Sequence, residues 1–325
     1  MKLQISCLSE NTPQWFSRVQ SLALSIRRLG GEVGNAAIVA HFVGGVDERF
    51  ASELARLEVA VEVVEPFPGM ARPTNKLRMF EAGAGASFDL LVALDCDVVV
   101  VDDFADRLSG DRIGVKPADY PRLGQRDWHQ LYARAGLPLP APSLIATSTG
   151  EPIPPYFNSG VVTVPRELMG VLGENWRRAH RDLTGWLDED PHLIPRHLHY
   201  FADQIALALA LARSGAPFQA LPVGMNFPTH APVAPAALAA DPRLSVLHYH
   251  GEADARGFLL RPRCERAAAA ADAFNEYRAE WLGLEYAGLG SRPRLERARE
   301  RLLAPRRLLA RRHRARTWVR DIQVR

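Results

Sequence analysis

Asp89-Leu90-Leu91-Val92-Ala93-Leu94-Asp95-Cys96-Asp97-Val98-Val99-Val100-Val101-Asp102-Asp103 is the stretch on which the reading of this chain turns. The run from Leu90 to Val101 is apolar and β-branched, as a strand covered on both faces requires. Inside it stand Asp95 and Asp97, one residue apart. Side chains two apart on a strand share a side, so the pair is expected to present both charges to one spot. Burying both unpaired would cost on the order of several kcal/mol each, so a cation is expected beside them. Hard carboxylate oxygens suit Mg²⁺ or Mn²⁺. The competing reading ends the strand near Leu94 and leaves both Asp as solvated turn residues.

Working outward, the preceding segments alternate. Leu3 to Leu8, Ala36 to Val43 and Val59 to Val64 read as strands; Trp15 to Leu29 and Glu48 to Leu57 read as helices. Apolar strands alternating with helices predict an α/β fold, a mainly parallel sheet flanked by helices, with ligands beyond the carboxyl ends of the strands. Asn75 to Phe80 is expected to open a helix that delivers Lys76 and Arg78 to an anion; for Arg78 a solvated surface role is an equal reading. After the acidic stretch, residues 118–156 are Pro-rich but hold Tyr120, Trp128, His129 and Tyr132. They are expected to form an acceptor-side cover. Tyr156 to Val164 reads as a strand in which Gly160 permits close backbone approach, to a ligand or in a bend. Asp203 and Gln204 fall on the first turn of an apolar helix, where a carboxylate also serves as a simple cap. Phe218 to Pro222 and Leu244 to His250 read as further strands, and residues 264 to 281 as an Ala-rich helix.

Composition narrows the function classes. The 325 residues are 47% hydrophobic, enough for a sizeable core, and hold three widely spaced cysteines. That number argues against a disulfide framework or a Cys-based zinc site and fits a reducing cytoplasm. Neither a signal peptide nor a membrane-spanning helix is expected. From Ser291 to Arg325, thirteen Arg stand against Glu296, Glu300 and Asp321, so this segment carries +10 of a net +3 and the rest of the chain carries −7. Basicity is thus confined to the tail, and no nucleic-acid partner is expected. The tail, with Leu302, Leu303, Leu308, Leu309, Trp318 and Val319 among its Arg, suits an amphipathic helix on an anionic surface, such as the inner face of a membrane. A solvated helical extension is an equal reading.

Four pieces in order, Asn75-Lys76, Asp95-Cys96-Asp97, Phe157-Asn158-Ser159-Gly160, and Asp203-Gln204 followed by His248-Tyr249-His250-Gly251, resemble the GT-A-type nucleotide-sugar glycosyltransferases. Within them the resemblance is greatest to the family of glycogenin and the bacterial lipopolysaccharide galactosyl- and glucosyltransferases. It covers about residues 1–260, leaving a C-terminal helix over 261–290 and the Arg-rich tail over 291–325. It implies a Mn²⁺ (or Mg²⁺) held by Asp95, Asp97 and His248, with His250 as the fallback ligand. It implies donor contacts from Lys76, Asp95, Asn158, Ser159, Gly160 and Gly251, and a catalytic pair in Asp203 and Gln204. The donor implied is a nucleotide-sugar, a UDP-sugar by the family's usage; the acceptor would be a glycan, a lipid-linked sugar or a small molecule. Transfer of a hexose with retention is the implied reaction. The family follows His-x-x-Gly with Lys-Pro-Trp, whose Lys binds diphosphate. Here the chain reads Glu252-Ala253-Asp254-Ala255-Arg256-Gly257, and Arg256 is the replacement expected.

Two other classes compete. Leu94 to Val99 also resembles the nucleophile motif of haloacid dehalogenase-class phosphohydrolases, but three strand–helix units precede it where that motif normally lies near the N-terminus. A non-catalytic docking protein working through its tail leaves the acidic and Asn-Ser-Gly strands unexplained.

Overall fold

The computed structural model describes residues 1–68, 70, 72–81, 87–254 and 256–288. The expectations for the 291–325 tail lie outside the described residues.

The strands are β1 (Leu3–Glu10), β2 (Ala37–Val43), β3 (Val59–Val64), β4 (Leu90–Leu94), β5 (Val98–Val100), β6 (Ile113–Pro117), β7 (Leu144–Ile145), β8 (Pro152–Ile153), β9 (Phe157–Pro165), β10 (Phe218–Ala220), β11 (Phe227–Pro228) and β12 (Val246–His248). The helices are α1 (Pro13–Leu29), α2 (Gly31–Gly34), α3 (Glu48–Ala55), α4 (Gln125–Arg134), α5 (Arg166–Glu189), α6 (Ala202–Ser214), α7 (Pro235–Ala240) and α8 (Glu265–Leu282). Seven strands form the central sheet in the order β10-β6-β9-β4-β1-β2-β3. All neighbours run parallel except β9, which is antiparallel to both β4 and β6. A mainly parallel sheet flanked by helices is therefore what the chain builds.

Its central strands are apolar because both faces are covered. Every residue of β4 and β9 is buried. One face carries α5 and α6, with Leu172, Trp176, Leu183 and Ile205 to Leu211 in the core; the other carries α1, through Leu22, Leu24 and Ile26. A small sheet, β11-β12-β5, lies beside the main one, and α8 covers it through Ala267, Ala271 and Phe274.

The acidic stretch departs from the single strand expected. Its apolar run is two strands in two sheets: β4 pairs with β1 and β9, whereas β5 pairs antiparallel with β12. Both are buried, so the run reads as continuous although the chain turns at Cys96–Asp97. The Asp pair thus sits at the hinge between the sheets. Its carboxylates meet because of that turn, not through strand alternation, and neither is freely solvated. The Asn75–Phe80 region also differs: Arg72–Phe80 is a 3₁₀ helix.

Residues 118–156 are not a loose cover. Leu123, Trp128, Leu131, Tyr132, Ile153 and Tyr156 belong to the main core, and Trp128 meets the rings of Tyr132 and Tyr156 edge-on. Trp128, Tyr132 and Tyr156 hold the segment down as a wall beside the sheet.

Candidate active site

The site forms where the carboxyl ends of β1 and β4 meet the start of β9. Asp95 is fixed by its backbone, whose N–H donates to Gly160 O at 2.9 Å. Opposite, β9 loses register with β6: Val115 pairs with Val162 but Lys116 pairs with Asn158, so Ser159, Gly160 and Val161 form a bulge without partners on β6.

Lys76 is placed by its 3₁₀ helix. Thr74 Oγ1 contacts His180 Nε2 at 2.8 Å, and Asn75 Oδ1 accepts from Phe67 N at 2.9 Å. The Lys76 ammonium then reaches Asp95 Oδ1 at 2.9 Å, Asp203 Oδ2 at 3.0 Å and Ser159 Oγ at 3.0 Å. Ser159 Oγ donates to Asp203 Oδ2 at 2.6 Å, and Trp176 Nε1 donates to Asp203 O at 2.9 Å. Burial alone would push the Lys76 ammonium down, but Asp95 and Asp203 together hold it above its usual range. Burial likewise opposes charge on Asp203, yet Lys76 and the Ser159 hydroxyl keep its carboxyl below the ordinary value. At Asp95 burial wins over Lys76, and the neighbouring Asp97 adds to the upward push.

On the other side of the hinge, His248 Nε2 lies 3.3 Å from Asp97 Oδ1. Burial disfavours the Asp97 anion, but His248, His250 and Arg18 outweigh it and draw its carboxyl well down. One ligand atom each from Asp95, Asp97 and His248 fall within 4.8 Å of one another, close enough to hold one ion.

A hydrogen-bond relay decides which imidazole nitrogen faces that point. Asp119 Oδ2 accepts from Asn158 Nδ2 at 3.1 Å. Asn158 Oδ1 accepts from Gly160 N at 2.9 Å and from Asn226 Nδ2 at 3.0 Å. Asn226 Oδ1 is left to meet His248 Nδ1 at 2.8 Å, so that nitrogen carries the proton. Nε2 is therefore the ring nitrogen turned to Asp97 Oδ1, where a proton or a metal ion can lie between them. Two carboxylates and an imidazole nitrogen converging within 4.8 Å fit a divalent metal. Asp119 anchors the relay: it is buried against Lys116, which is 0% exposed, and accepts from Thr147 Oγ1 at 2.8 Å. Burial opposes the Asp119 anion, but the Lys116 cation and these hydrogen bonds hold its carboxyl low.

Gly160 also makes room for a neighbouring side chain. A Cβ there would lie 2.5 Å from His248 Cε1, so its missing side chain is the space the imidazole occupies. His250, at φ 48°, stacks on His248 with ring centroids 3.5 Å apart and turns Nδ1 to the His248 carbonyl. Asn158 serves the relay. Gln204 follows Asp203, half-buried, and its side chain makes no hydrogen bond among the described residues. Arg78 turns away, to Glu65 O and Glu81. Arg256 is exposed and bound through its backbone, by Asp254 and Arg278.

Three participants escape the sequence reading: Asn226, Asp119 and Arg18. Arg18 Nη1 stands 3.9 Å from Asp97 Oδ2, its guanidinium over Trp15. No local motif marks them. Asn226 sits between recognisable elements, Asp119 opens the Pro-rich segment, and Arg18 reads as one charge on an amphipathic helix.

A family model described as a Rhodobacterales glycosyltransferase domain matches residues 48–215. That span takes in Lys76, Asp95, Asp97, Asn158, Ser159 and Asp203, and ends before His248. Among solved structures, the galactosyltransferase LgtC, in complex with donor and acceptor sugar analogs, is similar over 86% of this chain and 99% of its own, with a TM-score of 0.50 and 18% identity. The glycosyltransferase GlyE of Streptococcus pneumoniae TIGR4 is similar over 87% of this chain, with a TM-score of 0.50 and 13% identity. This chain spans 64% of that one. Likenesses at these identities establish the GT-A fold. No curated protein matches in sequence.

Proposed function

The chain belongs to the Rhodobacterales glycosyltransferase domain family, and on that premise we propose a metal-dependent transfer of a hexose from a UDP-sugar to a hydroxyl acceptor, with retention at the anomeric carbon. The observation that carries the metal-and-donor part is the convergence of Asp95, Asp97 and His248, with the relay engaging Nδ1 and turning Nε2 of His248 toward Asp97. Two carboxylates and one imidazole favour Mn²⁺ over Mg²⁺. Bound there, the ion supplies Lewis-acid stabilisation of the departing diphosphate.

The remaining work falls to this chain's own groups. Lys76, between Asp95 and Asp203, is a fixed cation at the edge of the donor site, and its preorganised charge favours the negative charge that develops on the leaving group. Asp203, on the same ammonium, faces the sugar and offers negative charge to an oxocarbenium-like centre. Its role in retention is supported by its chemistry. Lys76 and Ser159 keep this carboxyl below the ordinary carboxylate range, which holds it as the anion this role needs. Gln204 is the hydrogen-bonding partner for sugar hydroxyls. The wall built from residues 118–156 forms the acceptor side.

Calorimetric titration with UDP, with and without Mn²⁺, on the wild type and Asp97→Asn tests this. The expected result is Mn²⁺-dependent binding lost in the variant. Donor assays with a panel of UDP-hexoses would then read product configuration by NMR. A folded protein that binds no nucleoside diphosphate with Mn²⁺ overturns the reading.

A further inference from the structure

The resemblance calls for a Lys after His-x-x-Gly, and the sequence offers Arg256 in its place. The structure puts another cation, Arg18, beside Asp97. Arg18 lines a cleft of about 410 Å³ along the first turns of α1, with Ser17 and Ser21 on its side and Tyr249, Gly251 and Gly257 on the other. The Arg18 guanidinium lies on this cleft, mostly buried, with Asp97 at 3.9 Å as its salt-bridge partner. Gly251 and Gly257 both have positive φ, and both bring the backbone against guanidinium groups. A Cβ at Gly251 would meet Arg18 Nη2 at 3.2 Å, and one at Gly257 would meet Arg278 Nη2 at 2.6 Å.

Arg278, from α8, is 2% exposed and touches neutral acceptors: Arg256 O at 2.8 Å, Ser21 Oγ at 2.9 Å and Ser17 Oγ at 3.1 Å. Asp254 acts on it only through space. The first turn of α1 carries no acidic residue. Arg18 therefore lines the cleft with Asp97, a candidate metal ligand, at the limit of ion-pair distance, and Arg278 stands behind the wall made by Ser17, Ser21 and Gly257. A buried positive charge without a matching anion is costly, which makes the cleft receptive to one.

We propose that this cleft receives the diphosphate of the nucleotide donor, with Arg18 as its charged contact and Arg278 as the buried cation that holds the Gly257 turn against it. The inference rests on the nucleotide-sugar reading above. Arg18 takes the task that the expected Lys has in the family, reached from α1 instead of from the C-terminal motif. With metal on Asp97, the Arg18 guanidinium is released from that carboxylate to bind phosphate oxygens, for which its planar fork is suited.

The alternative role for Arg18, a counter-ion to Asp97 only, gives the opposite sign. The test is calorimetry at saturating Mn²⁺, titrating UDP and inorganic pyrophosphate into wild type, Arg18→Ala and Arg18→Lys, with a separate Mn²⁺ titration and a melting curve for each. Arg18→Ala is expected to weaken UDP and pyrophosphate roughly 10- to 100-fold, the range of a lost charge-assisted contact. Mn²⁺ affinity without nucleotide stays level or rises, and Arg18→Lys falls between. Unchanged or tighter UDP binding in a folded Arg18→Ala protein overturns the inference and leaves the donor reading standing. If the wild type binds neither UDP nor another nucleoside diphosphate, the donor reading itself falls, and this inference with it.

Discussion

Replacing Asn226 by Leu cuts the relay at the link that sets the tautomer of His248. Asn226 is 1% exposed and His248 3%, so water cannot readily take over the lost partners. Two hydrogen bonds go, at 2.8 Å to His248 Nδ1 and 3.0 Å to Asn158 Oδ1. Asn158 Oδ1 keeps Gly160 N, but the His248 Nδ1–H is left bare. An orphaned buried donor costs about 1–3 kcal/mol, which is the stability loss expected. Losing the group that orients a metal-ligating imidazole costs about 10- to 100-fold in metal affinity, or about 1.4–2.8 kcal/mol. Asn226→Asp separates the two effects. Its carboxylate still accepts from Nδ1–H, so metal affinity is retained. Its second oxygen, however, meets Asn158 Oδ1 and destabilises the fold. Mn²⁺ titration followed by EPR, beside urea unfolding of the apoprotein, reads both quantities. Mn²⁺ affinity within about twofold of wild type in a folded Asn226→Leu protein would refute the tautomer argument.

Gly160→Ala places a methyl group 2.5 Å from His248 Cε1; overpacking of this kind costs about 1–3 kcal/mol, and calorimetric melting should show it together with weaker Mn²⁺ binding. An unshifted melt with normal Mn²⁺ affinity would contradict the geometry. Lys76→Met leaves Asp95 and Asp203 without their shared cation, a loss of about 3 kcal/mol near neutral pH by analogy with broken buried pairs. Because Lys76 depresses the Asp203 carboxyl, this contribution is present above the ordinary carboxylate pKa and fades as pH falls below it. The stability gap between wild type and Lys76→Met should therefore narrow from pH 6 toward pH 3, and a constant gap would count against the pairing. Asp119→Asn strands the buried Lys116 and should destabilise by about 3–5 kcal/mol. Adding Lys116→Met should recover part of that loss, and strict additivity in urea unfolding would deny the coupling.

The sheet was legible because its strands carry their burial in composition: β4 is apolar at every position, β9 at all but Thr163 from Val161 on, and both are buried throughout. The same property hid the hinge. Val98 to Val100 is as apolar as Leu90 to Leu94, and nothing local says that its partners lie in another sheet near Val246. The candidate ligands Asp95, Asp97 and His248 were named from motifs, which record side chains that must converge. The relay was not legible, since Asp119, Asn158 and Asn226 are far apart in sequence and meet only through the fold. Arg256 illustrates the reverse case. It stands near the expected motif position, yet the turn at Gly257 binds its backbone to Arg278 and leaves the side chain exposed. Arg18, far away in sequence, lies beside Asp97.

The central claim is that Asp95, Asp97 and His248 bind a metal ion at which the donor diphosphate is held. Pulsed EPR on Mn²⁺-loaded protein addresses it most directly. The account predicts a ¹⁴N coupling from one imidazole that disappears in His248→Ala, and a ³¹P coupling that appears when UDP is added. Bound Mn²⁺ with no nitrogen coupling in the wild type, or no phosphorus coupling at saturating UDP, would contradict it.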